Sequence, residues 1–219
     1  MPAPSETELI QFRGWTLRLR RARARAARLL LLLHGWTGDE NSMWVFARNL
    51  PEDYWILAPR APHVTKPSGY SWRVPPPERS EGPGLDDLRT SAKDLIALVD
   101  AYAAEEHVQA QVFDIIGFSQ GAALGISLAL LFPERVNKVA VLAGFVPKGA
   151  ETLISERPLE GKHFFVAHGT MDELVNIAYA RQSARLLEAA GARVTSCEDE
   201  VGHKVSAECL RGLQAFMLG

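Results

Sequence analysis

Cysteine is scarce: Cys197 and Cys209 are the only two in 219 residues, too few for a disulfide framework and without the spacing of a metal knuckle. Both read as thiols, with a bridge between them as the alternative left open. One-sided charge is also missing, since the formal net charge is -2. No global field then draws the chain to nucleic acid or to anionic lipid, and a small molecule is the expected partner. No apolar run approaches the roughly 18 residues of a membrane span. The polar stretch 1–10, with Glu6 and Glu8, does not read as a secretory leader. A cytoplasmic location without stable membrane insertion is the resulting expectation. Repeats and linkers are absent as well. A hydrophobic content of 47% suffices for one sizeable core, so a single domain over 1–219 is expected, with a homodimer left open.

Short apolar runs recur at 29–33, 54–58, 112–116, 138–143, 163–167 and 193–197 and read as buried strands. Helix-like stretches fall at 85–104, 120–132, 177–190 and 207–217, the third followed by Gly191 as a stop. Strand and helix alternate, which predicts a mostly parallel central sheet flanked by helices on both faces. Arg18, Arg20, Arg21, Arg23, Arg25 and Arg28 form a basic cluster. It reads as a solvated edge hairpin, with an anionic docking surface as the alternative. The segment 59–84 carries seven of the prolines, from Pro59 to Pro83, and excludes both a regular helix and a central strand. Tyr70 and Trp72 within it predict an ordered loop that borders a site.

The strongest chemical signal is Gly117-Phe118-Ser119-Gln120-Gly121, directly after one predicted strand and directly before a helix. A nucleophilic serine presented this way sits on a sharp strand-to-helix turn, and the flanking glycines are needed because side chains there would strike the neighbouring strand and helix. A serine hydroxyl is a weak nucleophile and needs a histidine as base. Of six histidines, His203 lies in a glycine-containing loop after the last predicted strand, which fits the chain order serine, acid, histidine. His34 and His168 are each followed by glycine at a strand end and read as structural. The carboxylate that fixes the imidazole tautomer is expected just beyond the strand 163–167, where Asp172 lies; Glu173, Glu198, Asp199 and Glu200 are its rivals. Backbone N–H groups of Gln120 and Trp36 are the expected oxyanion donors, the latter from the loop His34-Gly35-Trp36-Thr37-Gly38-Asp39.

With these residues in place, the chain resembles the phospholipase/carboxylesterase family of α/β-hydrolases, which includes the acyl-protein thioesterases. The likeness rests on Leu33-His34-Gly35, on Gly117-Phe118-Ser119-Gln120-Gly121-Ala122, on His168-Gly169-Thr170-x-Asp172, and on Gly202-His203 followed by Ser206 and Glu208. It runs from about Leu29 to the end. The resemblance implies an α/β-hydrolase fold, hydrolysis of acyl esters with no cofactor and no metal, and a substrate pocket lined by Trp36, Phe118, Leu174 and the Trp72 loop. Two departures stand out. The family often has His-Gly-Leu-Gly-Asp where this chain has Trp36 and Thr37, and often a proline near Asn176.

Only a short connection separates the strand ending near 143 from the one starting near 163, which leaves no room for a cap domain. An open site for small to medium acyl esters is therefore expected. The alternatives are an acyl thioesterase, a lysophospholipase, a lactone or dienelactone hydrolase, and a non-catalytic ligand-binding protein on the same fold.

Overall fold

The computed structural model describes residues 7–23, 27–76 and 82–219; Arg25 of the basic cluster and Pro77 of the proline-rich loop lie outside them. Among the described residues one large sheet runs in the order β1-β2-β4-β3-β7-β8-β9-β10, while β5 (His63–Val64) and β6 (Tyr70–Ser71) pair in a separate antiparallel ribbon. Its parallel part comprises β3 (Arg28–Leu33), β4 (Tyr54–Pro59), β7 (Phe113–Phe118), β8 (Val136–Leu142), β9 (His163–Gly169) and β10 (Arg193–Asp199). Each contains one of the predicted runs or most of it. The antiparallel edge is a hairpin of β1 (Glu8–Phe12) and β2 (Trp15–Arg20), joined through Arg13 and Gly14 at φ 47 and 87. Two successive left-handed residues match the right-handed twist of the strands they connect.

Alternation along β3 shows how the sheet fills both layers. Leu29, Leu31 and Leu33 pack into the core beneath α2 (Leu85–Glu106), α3 (Gln120–Leu131), α4 (Glu151–Ser155) and α5 (Ile177–Ala189), while Leu30 and Leu32 face α1 (Trp44–Ala47) and α6 (Ala207–Leu218). Strand side chains point alternately to opposite faces, so a run of leucines serves two cores at once. Helix α3 is buried along nearly its whole length, as an apolar helix without a polar face must be. Between β8 and β9 the only helix is the five-residue α4, and among the described residues no cap domain is present.

The basic hairpin is ion-paired. Arg21 pairs with Glu8 and Glu106, and Arg23 with Glu52 at 2.9 Å. Arg20 is buried and donates to the Pro51 carbonyl at 2.7 Å, and Arg18 donates to Asn41 at 2.6 Å. Much of this charge is engaged within the fold, which favours the edge-hairpin reading over an anionic docking surface. A correction concerns the cysteines. Cys197 and Cys209, read as thiols, form a disulfide that ties β10 to the first turn of α6. Among the described residues no helix is long and apolar enough to cross a membrane.

Strand order reverses at β3, whose neighbours β4 and β7 continue the sheet in opposite directions. Loops leaving the carboxyl ends of β3 and β7 diverge there, the crevice where open α/β sheets place their ligands. Pairing of Leu33 with Gly117 sets the loop after His34 beside Ser119.

Candidate active site

Ser119 stands between β7 and α3 with φ 51 and ψ -115. Positive φ is uncommon for a residue with a side chain and carries strain that the surroundings must hold. Two hydrogen bonds brace the turn: Ser119 N–H donates to the Leu142 carbonyl at 2.8 Å, and Ala122 N–H to the Ser119 carbonyl at 3.0 Å. A Cβ on Gly117 would lie 2.4 Å from the Gly121 oxygen, and one on Gly121 only 2.1 Å from the Leu33 oxygen. Both glycines are therefore required by close backbone approach.

The two residues expected to serve as base and carboxylate meet. Nδ1 of His203 is 2.7 Å from Oδ2 of Asp172. The opposite oxygen, Oδ1, accepts N–H groups from Leu174 and Val175, each at 2.9 Å. Burial would raise the Asp172 pKa, but the Val175 N–H, His203 and the Leu174 N–H outweigh it and hold the carboxyl below its ordinary value. The rivals do other work: Glu198 pairs with Arg181 at 2.7 Å, Asp199 accepts the Glu200 N–H, and Glu173 is exposed. Gly169 permits the closing of this arrangement, because a Cβ there would lie 2.1 Å from the Val201 oxygen and 2.3 Å from that of Gly202. The loop carrying His203 passes directly over it.

Among the described residues the Ser119 hydroxyl has no hydrogen bond to His203. The imidazole is brought toward the turn through the neighbouring residue, with the Phe118 and His203 rings edge to face at a centroid distance of 5.0 Å. Catalytic hydrogen bonds are often long in the free enzyme and tighten with substrate. The backbone N–H groups of Trp36 and Gln120 have no intramolecular partner among the described residues, whereas Thr37 N–H is engaged with Tyr70 O and Gly38 N–H with Gly35 O, both at 3.0 Å. Two unengaged donors beside the serine fit an oxyanion site.

His34 holds the Trp36 loop from beneath. Its Nε2 accepts the Ala61 N–H at 3.0 Å, so Nδ1 carries the proton and donates to the Gly35 carbonyl at 2.8 Å. Trp72 departs from its expected role as a substrate contact. It is fully buried, packs against the tilted His34 ring at a centroid distance of 5.0 Å and donates Nε1–H to the His34 carbonyl at 2.8 Å. The indole anchors the proline-rich loop instead of lining a pocket. Gln120 completes that anchor: its side-chain oxygen accepts the Trp72 N–H at 2.9 Å and its Nε2 donates to the Ser71 hydroxyl at 3.1 Å. This second use of Gln120 had no signature in the sequence, since a polar residue at a helix start gives no hint of a partner 48 positions away.

Residues 17–218 match the model of a family described as phospholipase/carboxylesterase. The chain belongs to that family. It is 32% identical over 133 residues to the carboxylesterase SOBER1 of Arabidopsis thaliana, a match covering 58% of this chain and 56% of that protein. It is 26% identical over 210 residues to acyl-protein thioesterase 1 of Debaryomyces hansenii, covering 86% of this chain and 89% of the relative. The structure of esterase PE8 superposes with a TM-score of 0.78 at 25% identity, covering 91% of this chain and 96% of the other.

In this phospholipase/carboxylesterase-family chain one cavity borders the loop that follows Asp172 and another borders Phe118 next to Ser119. One, of about 580 Å³, lies over α4 and α5 and is walled by Phe145, Ile154, Leu174, Val175, Tyr179 and Leu186. The other, of about 410 Å³, lies against α1 and is walled by Trp36, Val45, Phe46, Phe118, Lys204 and Val205. Trp36, Phe118 and Leu174 thus line cavity space.

Proposed function

We propose that this protein is a serine carboxylesterase that hydrolyses small to medium acyl esters through an acyl-enzyme on Ser119. His203 takes the hydroxyl proton as Ser119 attacks the carbonyl carbon and returns it to the departing alcohol. Asp172 holds the imidazole with Nδ1 protonated and balances the imidazolium. The N–H groups of Trp36 and Gln120 stabilise the tetrahedral oxyanion. Water, deprotonated by the same imidazole, then attacks the acyl carbon and releases the acid and Ser119. No cofactor or metal enters these steps. The observation that carries this reading is the 2.7 Å contact between His203 and Asp172 beside a serine held at positive φ. The larger cavity is the acyl subsite in this reading, with Leu174 at its rim.

A fluorophosphonate followed by peptide mapping tests the nucleophile, with the adduct expected on Ser119. Ester hydrolysis by Ser119→Ala should fall at least about 10³-fold. Absence of both adduct and turnover would turn the reading to a ligand-binding protein. A thioesterase activity is the second reading, favoured by the long match to the Debaryomyces hansenii relative. Matched oxygen esters and thioesters, compared by kcat/KM, separate the two.

A further inference from the structure

We infer that the smaller cavity receives the leaving group and that Lys204 selects alcohols or thiols bearing a negative charge. The inference rests on the esterase reading above and adds a substrate class to it.

Proton return fixes the side. The imidazole must reach the departing oxygen or sulfur, so the leaving group has to lie on the His203 side of the acyl carbon. The cavity of about 410 Å³ is the one built from that side, for Lys204 and Val205 directly follow His203, and Phe118, in van der Waals range of the imidazole, forms another wall. The larger cavity takes Leu174 and Val175 from the Asp172 loop instead.

Charge separates the two spaces. Lys148 and Glu151 both line the larger cavity, one of each sign. Among the described residues Lys204 is the only charged side chain lining the smaller one, and its ammonium has no ion pair or hydrogen bond there. The acids of the facing loop are occupied: the Asp39 carboxylate accepts from the Asn41 N–H, Asn41 Nδ2 and the Ser42 hydroxyl at 2.9 to 3.2 Å, and Glu40 pairs with Arg60 at 2.7 Å. Aromatic walls give the rest of the specificity. Phe46 and Phe118 stack at 6.1 Å, and Trp36 is 41% exposed at the rim. A flat or apolar body capped by a carboxylate or phosphate matches such a space in shape and sign.

The test uses wild-type protein with three acetate esters, of phenol, 4-hydroxybenzoate and a 4-hydroxybenzyl trimethylammonium. Each kcat/KM is divided by the hydroxide-catalysed rate of the same ester, which removes differences in leaving-group reactivity. The anionic ester should exceed the neutral one by about three- to fivefold, the size an exposed charge pair supports, and the cationic ester should fall below it. The ratio should shrink at high salt, approach one in Lys204→Met and invert in Lys204→Glu. A wild-type ratio of one, or a preference that Lys204→Glu leaves in place, overturns the inference while the esterase reading stands. No turnover of any ester together with no fluorophosphonate adduct overturns both.

Discussion

Nε2 of His168 lies 3.3 Å from Oδ2 of Asp172, the same oxygen that faces His203. The His168 side chain is fully buried, and its Nε2 also lies 2.7 Å from the Val175 carbonyl, so that nitrogen carries the proton. Its N–H therefore points between a carbonyl and the carboxylate that faces His203. Nδ1 of the same ring is buried without a partner.

Replacing this ring tests whether it positions Asp172. His168→Ala should lower kcat by about tenfold, the cost of one hydrogen bond near a charge, with KM little changed. His168→Gln can restore an N–H donor and should recover part of the loss. Equal losses in both variants, tracking only lower melting temperatures, would assign the ring to packing alone.

Asp172→Asn keeps shape but cannot hold the right imidazole tautomer. Its kcat should drop by about 10⁴-fold with the fold intact by circular dichroism. The carboxyl is held below its ordinary pKa in the folded state. Its contribution to stability is thus complete above the carboxylate range and disappears as pH falls through the lowered folded value. Urea midpoints measured from pH 6 to 3 should decline less steeply in Asp172→Asn than in wild type.

His34 gives a second acid-sensitive point at higher pH. Burial pushes its pKa below the ordinary histidine value, and protonation would remove the acceptor that Ala61 uses. The unfolded chain therefore takes up the proton first, and stability falls as pH drops below about 6.5, by at most about 1.4 kcal/mol per pH unit. His34→Gln should flatten the urea midpoint between pH 7.5 and 5.5. An unchanged slope in the variant would place the effect elsewhere.

The bridge between Cys197 and Cys209 encloses the loop that carries His203. Opening a closed loop of this size should cost about 2–4 kcal/mol of stability. Because His203, the proposed base, rides on that loop, Cys209→Ser or dithiothreitol should also lower kcat more than it raises KM. Thiol titration of protein made in a reducing cytosol and in an oxidising compartment would show where the bridged form accumulates, and bears directly on the cytoplasmic location read from composition.

Local rules account for what the sequence disclosed. The β7–Ser119–α3 turn was legible because backbone crowding at Gly117 and Gly121 leaves only glycine, and a short-range constraint leaves a short-range motif. Asp172 and His203 were found by chain order, since each follows its own strand. The hairpin strand β1 was not resolved, because an exposed edge strand lacks the apolar run that marks a buried one. Trp72 was misplaced for a different reason: an indole reads alike whether it caps a core or borders a cavity, and only the His34 carbonyl decides. The disulfide was hidden because the contact of β10 with α6 is created by tertiary packing, and twelve residues of separation say nothing about it.

One amide side chain pins the 59–84 segment to the residue whose main chain borders the reacting centre. Swapping in a foreign loop to reshape the mouth for new substrates, without partners for Gln120, would therefore disturb the floor beside Ser119 along with the roof.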